Sequence, residues 1–283
     1  MSLKTVLVPT EQHDLINSVL ATALLVARRF GSYVEAFALR PAIDNFAAMD
    51  PVSSMAVATV RQHDEEAAKQ ARVVFNGFMR DHGVAPMAGV PAGTAALSYG
   101  WLDAAPDGDD FVGSYGRVFD LTVLGRPGDD AQSPRMTTLE SALFESGRPV
   151  LIAPPTVPQR LGENVLVSWN CSTEQARTTA FAMPLLREAT QVTVLTVEGG
   201  TVPGPTGAQL ARSLKLDGIP AEAVTLNPGR RTPGEMILAH AEKLGCDLVI
   251  KGAYTQSRLR QMIFGGATRH ILAHADIPVL MAH

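Results

Sequence analysis

The residues best suited to chemistry lie between Gly252 and His270. Gly252 ends an apolar, strand-like run, Gly265-Gly266 opens a helical pattern, and Thr268 falls in that helix's first turn. N–H groups at a helix start lack intrahelical acceptors and carry partial positive charge, which suits an anion. Two glycines there let a phosphate approach the backbone closely. Arg258, Arg260 and Arg269 add charge nearby. The chemistry on offer is the holding of a phosphorylated ligand rather than its breakdown, since no convincing general base stands near the loop. Each feature also has a plain structural use. The glycines serve turns and helix packing, Thr268 can bond within its own first turn, and Arg258 and Arg260, two apart, do not share a helix face.

The elements that must position these residues come in two sets. Lys4 to Val8 (KTVLV) is matched by Glu163 to Val167 (ENVLV), Phe119 to Gly125 (FDLTVLG) by Cys246 to Gly252 (CDLVIKG), and Arg148 to Ala153 (RPVLIA) by Ile277 to Ala282 (IPVLMA). The pairs keep one order at a period near half the chain, which predicts a duplicated domain rather than a solenoid. The apolar runs lack strict alternation and suit parallel strands buried on both faces. The second half predicts strands near 164–168, 192–197, 222–226, 247–252 and 278–282, with helices near 173–189, 206–217, 233–244 and 265–274. Ser172 is a cap for the first of these helices, with Gln175 at the capping-box position. Thr232-Pro233 with Glu235 starts the third, and Gly245 stops it. The first half predicts strands near 5–9, 33–39, 97–101, 120–125 and 149–153. Its insert, about 42–93, carries a helix from His63 to Arg80, with Met49-Asp50-Pro51 before it as loop. The prolines of Pro154-Pro155-Thr156-Val157-Pro158 favour an extended spacer between domains at 1–154 and 159–283. The fold expected is α/β: two tandem Rossmann-like domains, each a five-stranded parallel sheet with helices on both faces. Ligands in such sheets sit at the carboxyl ends of strands where strand order reverses, so the loops after the first and fourth strands matter most.

At this point the chain resembles the universal stress protein family, and the resemblance runs through both halves. That family carries Gly-x2-Gly-x9-Gly-Ser/Thr after its fourth strand, and in its ATP-binding members this loop cradles the phosphates. Here the stretch GAYTQSRLRQMIFGGATRHIL keeps the spacing: Gly252, then Thr255 in place of the second glycine, then Gly265, then Gly266 in place of Ser or Thr. A Cβ at Thr255 crowds close backbone approach, while Gly266 loses a hydroxyl but keeps its N–H. The family's sugar-binding Asp follows its first strand. Ser168-Trp169-Asn170 occupies that place, and Asn170 keeps the ability to hydrogen-bond a ribose hydroxyl, although Asn is also a common turn residue. Trp169 would stack on a base or pack on the neighbouring helix. In the first half Glu11 stands at the sugar position, the leading Gly125-x2-Gly128 survives, and Thr138-Leu139 replaces the trailing Gly-Ser/Thr. Asp129 and Asp130 put negative charge where a triphosphate would lie, so this half is expected to have lost nucleotide binding. The resemblance further implies that Val150-Leu151-Ile152 and Val279-Leu280-Met281 pair within one chain, as the last strands of two such domains do across a dimer axis.

Composition narrows the alternatives. Hydrophobic residues at 46% and charged residues at 18% provide for two buried cores and argue against disorder. A net charge of −4 leaves no footprint for duplex nucleic acid. No apolar run reaches membrane-spanning length, and Met1 leads directly into strand-like Thr5 to Val8, so neither membrane nor signal peptide is expected. Cys171 and Cys246 match no metal or CxxC spacing and fit a reducing cytoplasm. Both are expected to be inert thiols, Cys171 near the cleft and Cys246 in the core. His270 and His274 form an i, i+4 pair without an assigned third ligand, so no metal site is expected. Walker, dinucleotide and Gly-x-Ser-x-Gly motifs are absent. Two readings stay open: stress-related nucleotide sensing with ATP (with Mg) or another adenine nucleotide in the second domain, or a nucleotide-free scaffold with unknown protein partners. Neither is an enzyme, slow incidental ATP hydrolysis aside, and neither rules on a further homodimer. A third reading, an adenylating enzyme, would rest on Lys251, whose alternation with buried positions points it aside from the cleft.

Overall fold

The computed structural model describes residues 3–11, 13–40, 42, 51–89, 96–128, 130, 133–253 and 266–283. The first half runs β1 (Thr5–Thr10), α1 (Ile16–Phe30), β2 (Tyr33–Ala38), α2 (Pro51–Asp81), β3 (Ala85–Pro86), β4 (Ser98–Trp101), α3 (Asp110–Gly116), β5 (Leu121–Gly125), α4 (Met136–Glu145) and β6 (Val150–Ala153). The second runs β7 (Asn164–Ser168), α5 (Thr173–Arg187), β8 (Gln191–Val197), α6 (Gly207–Leu216), β9 (Ala221–Leu226), α7 (Pro233–Lys243), β10 (Leu248–Gly252), α8 (Gly266–His274) and β11 (Val279–Ala282). All strands join one 11-stranded sheet in the order β3-β4-β2-β1-β5-β6-β11-β10-β7-β8-β9.

Within each half every pairing is parallel. The halves meet where β6 and β11 run antiparallel, with Val279 against Ile152, Leu280 against Leu151 and Met281 against Val150. Side chains alternate across a strand, so the sheet has two apolar faces. Val6, Val8, Val165, Val167, Leu248 and Ile250 pack on one face with α1, α5 and α6. Leu7, Leu166, Val249, Val279 and Met281 pack on the other with α3, α4, α7 and α8. Both cores pass through the β6–β11 junction, so two Rossmann-like domains share one sheet.

The helix starts follow local chemistry. Thr232 and Glu235 close a reciprocal capping box with Pro233 at the first helical position, and Gly245 takes φ +63° just past the end of α7. Ser172 Oγ accepts from Gln175 N at 3.1 Å, but Gln175 does not complete a box. Its Oε1 accepts from Gly252 N at 2.6 Å instead, tying α5 to β10. Three further departures stand out. Pro51 already belongs to α2, because proline is tolerated in a helix's first turn; Met49 and Asp50 lie outside the described residues. A two-residue strand, β3, extends the first sheet at its edge. The proline spacer is anchored, since Ser18 Oγ donates to Pro154 O at 2.6 Å.

Candidate functional site

In the second domain the chain leaves β7 in one direction along the sheet and returns to place β10 on β7's other side. Crossovers on opposite sides part at this switch point, where doubly wound sheets leave a crevice at the strands' carboxyl ends. A cleft of about 370 Å3 lies there, within the range of small-ligand sites. Ser168, Trp169 and Asn170 line it from the end of β7, Val197 and the turn at 199–202 from β8, Pro233 and Ile237 from α7, Lys251 from β10, and Gly266 to Thr268 from α8.

The structure brings Ser168, Trp169, Asn170, Gly266 and Thr268 together around this space. Ser168 and Thr268 are buried. The Trp169 indole is also buried, and its Nε1 donates to Pro205 O at 2.7 Å, so the ring forms a fixed wall. Asn170 organises the turn: its Oδ1 accepts from Ser172 N at 3.2 Å and its carbonyl accepts from Val202 N at 3.0 Å. Gly252 belongs elsewhere. It is outside the cleft lining, and a Cβ there would come within 2.5 Å of Gln175 N. Among the described residues, Gly266 has open space where a Cβ would be. Thr255, Gly265, Arg258 and Arg260 lie outside the described residues. Arg269 is exposed and away from the cleft lining.

Lys251 departs from its expected orientation. Ile250 packs into the α5 side and Val249 into the α7–α8 side, so alternation carries Lys251 toward α8 and into the cleft. Burial pushes its ammonium down to about 8. The walls supplied by Val197, the 199–202 turn, Pro233 and Ile237 were not anticipated either. Gly199-Gly200 after β8 was the signal for a close turn there.

The first domain shows a different arrangement at the equivalent strand ends. Glu11 Oε1 accepts from Arg135 Nη2 at 3.1 Å and Arg135 Nε at 3.2 Å. Arg135 also pairs with Asp109 at 3.0 Å. The Thr138 hydroxyl sits 3.0 Å from Glu11 Oε1 and 2.7 Å from Asp109 Oδ1, and donates to one of them at a time. Burial pushes Glu11 up despite Arg135 and Thr138. The end of β1 and the start of α4 are therefore joined by the protein's own charges. His13 nearby is held neutral, pushed down to about 4 by burial, with Nδ1 accepting from Leu15 N at 3.1 Å.

Cys246 is buried and its thiol is pushed up to about 11 by burial. Cys171 is half-buried with φ +67°. His270 and His274 stack at 4.3 Å, and among the described residues no group of three or more His, Cys, Asp or Glu is placed to hold a metal ion. Among the same residues no helix is long and apolar enough to cross a membrane.

Residues 172–283 match the model of the universal stress protein family. A curated relative, the stress response protein NhaX of Bacillus subtilis (strain 168), is 39% identical over 49 residues, a stretch covering 17% of this chain and 30% of that protein. Across the whole chain the fold is similar to a universal stress protein from Archaeoglobus fulgidus DSM 4304, with a TM-score of 0.70 at 14% identity, covering 100% of this chain and 99% of the other. A functionally unknown protein from Pseudomonas aeruginosa PAO1 gives 0.57 at 14% identity, covering 99% and 92%. The second half, at 172–283, therefore matches the universal stress protein family in sequence, and the whole chain shares its fold with these solved structures.

Proposed function

We propose that the second domain binds an adenine nucleotide in the cleft between β7, β10 and α8, and that the first domain binds none. The contrast between equivalent positions carries this reading. In the second domain the strand ends and the helix start surround a cleft whose lining, Lys251 apart, is uncharged among the described residues. In the first, Glu11, Arg135, Asp109 and Thr138 bond to one another across the same ground. A nucleotide, taken with Mg, fits the residues present: Asn170 would hold the sugar, and the Gly266 N–H and Thr268 would hold the phosphates. The nucleotide acts as an ordered ligand in a stress response and is not turned over. It biases the surface that the protein shows to its partners. The setting is the cytoplasm, where Cys171 and Cys246 stay reduced.

A scaffold reading without nucleotide draws on the β6–β11 ladder, which makes the two domains one rigid intrachain pseudo-dimer. Thermal shift of nucleotide-stripped protein with MgATP separates the two. Gly266→Asp places a carboxylate at the first turn of α8, where the open space lets it fold. The parent should gain several degrees in Tm at millimolar MgATP and the folded variant should gain none. No gain in the parent would leave the scaffold reading, and equal gains would move the site away from α8.

A further inference from the structure

Position 251 is occupied differently in the two halves. Leu124 in β5 pairs with Ile152 just as Lys251 in β10 pairs with Met281, so the two are structural equivalents. Leu124 is buried in the apolar core of its face. Lys251 is only 6% exposed in the matching environment. The β10–β7 register, which sets Ile250 against Val167, carries Lys251 one step on to Ser168.

A buried ammonium without a counter-charge is strongly unfavourable. Among the described residues the groups around Lys251 supply none: β7 gives Ser168, β8 Val197, α7 Ile237, α8 Thr268 and β11 Met281. No acid lines the cleft among the described residues. Nζ donates to Gly252 O at 2.9 Å, which leaves two of its three N–H donors for other acceptors. Two buried hydroxyls and the start of α8, whose first N–H groups favour anions, line the same space. A cation with spare donors, hydroxyl donors and a helix start together match the oxygens of a phosphoryl group.

We infer that Lys251 reads ligand charge in the second-domain cleft: its ammonium contacts a phosphoryl oxygen of the bound nucleotide, so that the site favours phosphorylated adenosine over adenosine. This rests on the nucleotide reading of the same cleft. It adds a contact that Leu124 cannot make in the first domain. Because burial already lowers the ammonium to about 8, an anion beside it draws it back up. Binding then takes up a proton near pH 8.5, and affinity falls as pH climbs from 7.5 to 9.5, above the range in which the phosphate itself titrates.

The test titrates adenosine and MgATP into nucleotide-stripped parent and Lys251→Met, a variant with the apolar character of Leu124. MgATP affinity should fall at least tenfold in the variant while adenosine affinity stays within twofold, and only the parent should weaken with rising pH. Equal MgATP affinity in parent and variant would overturn the role of Lys251 and leave the nucleotide reading standing. An equal loss for both ligands would also overturn it, since that marks a packing effect. A parent that binds neither ligand removes both proposals together. Calorimetry of the parent in two buffers of different ionisation heat at pH 8.5 gives a check independent of the variant's folding: proton uptake supports the contact, and its absence overturns it.

Discussion

Asp120 and Asp247 occupy matching places in the repeat and do matching work. Asp120 accepts from Lys4 N at 2.7 Å and Thr5 N at 3.2 Å, fixing the start of β1. Asp247 Oδ1 accepts from the N–H groups of Gly162, Glu163 and Asn164 at 2.8, 3.0 and 3.2 Å, fixing the start of β7. Asp247→Ala leaves three donors without their acceptor. At about 1 kcal/mol per net bond, and more to a charged partner, it should lower stability by about 2–4 kcal/mol. Urea unfolding at pH 7 measures this, and a loss below about 0.5 kcal/mol would contradict it. At this scale the sequence was only partly legible. Asn170 and Thr268 could be placed by spacing from strand ends. The bonding of Glu11 with Arg135 and Asp109 could not, because it joins residues about a hundred positions apart through tertiary packing. Lys251 was misdirected because alternation gives only relative sides, and which side faces the cleft depends on where α8 returns.

At the scale of elements, the strands followed from their apolar runs and α7 from its capping chemistry, since both signals are local. The start of α2 did not, because a proline reads equally as loop or as a first helical residue. β3 is too short to leave a periodic trace. Gly252 illustrates how a motif residue can serve packing. Its missing Cβ lets β10 meet the first turn of α5, where the nearest backbone atoms would be 2.5 and 2.8 Å from a Cβ. Gly252→Ala should therefore lower stability by about 1–3 kcal/mol through overpacking, measured as a fall in the urea midpoint. A change within about 0.3 kcal/mol would mean that α5 yields, and that the glycine is kept for another reason.

At the scale of the whole molecule, the repeated segments implied a duplicated domain and the family resemblance implied that the last strands pair within one chain; the β6–β11 ladder is that junction. Side chains brace it. Arg29 in α1 donates to Leu161 O at 2.6 Å and to the Glu188 carboxylate and carbonyl at 2.6 and 2.7 Å. Arg126 after β5 donates to Ala275 O at 2.9 Å. On the proposed division, the second domain takes the nucleotide while the first, with Glu11, Arg135 and Asp109 paired at its strand ends, supports it through a shared sheet. Calorimetric titration of nucleotide-stripped protein with MgATP tests this division most directly. One site per chain is expected, near micromolar affinity or about −8 kcal/mol. Two sites per chain, or no heat at millimolar nucleotide, would contradict it.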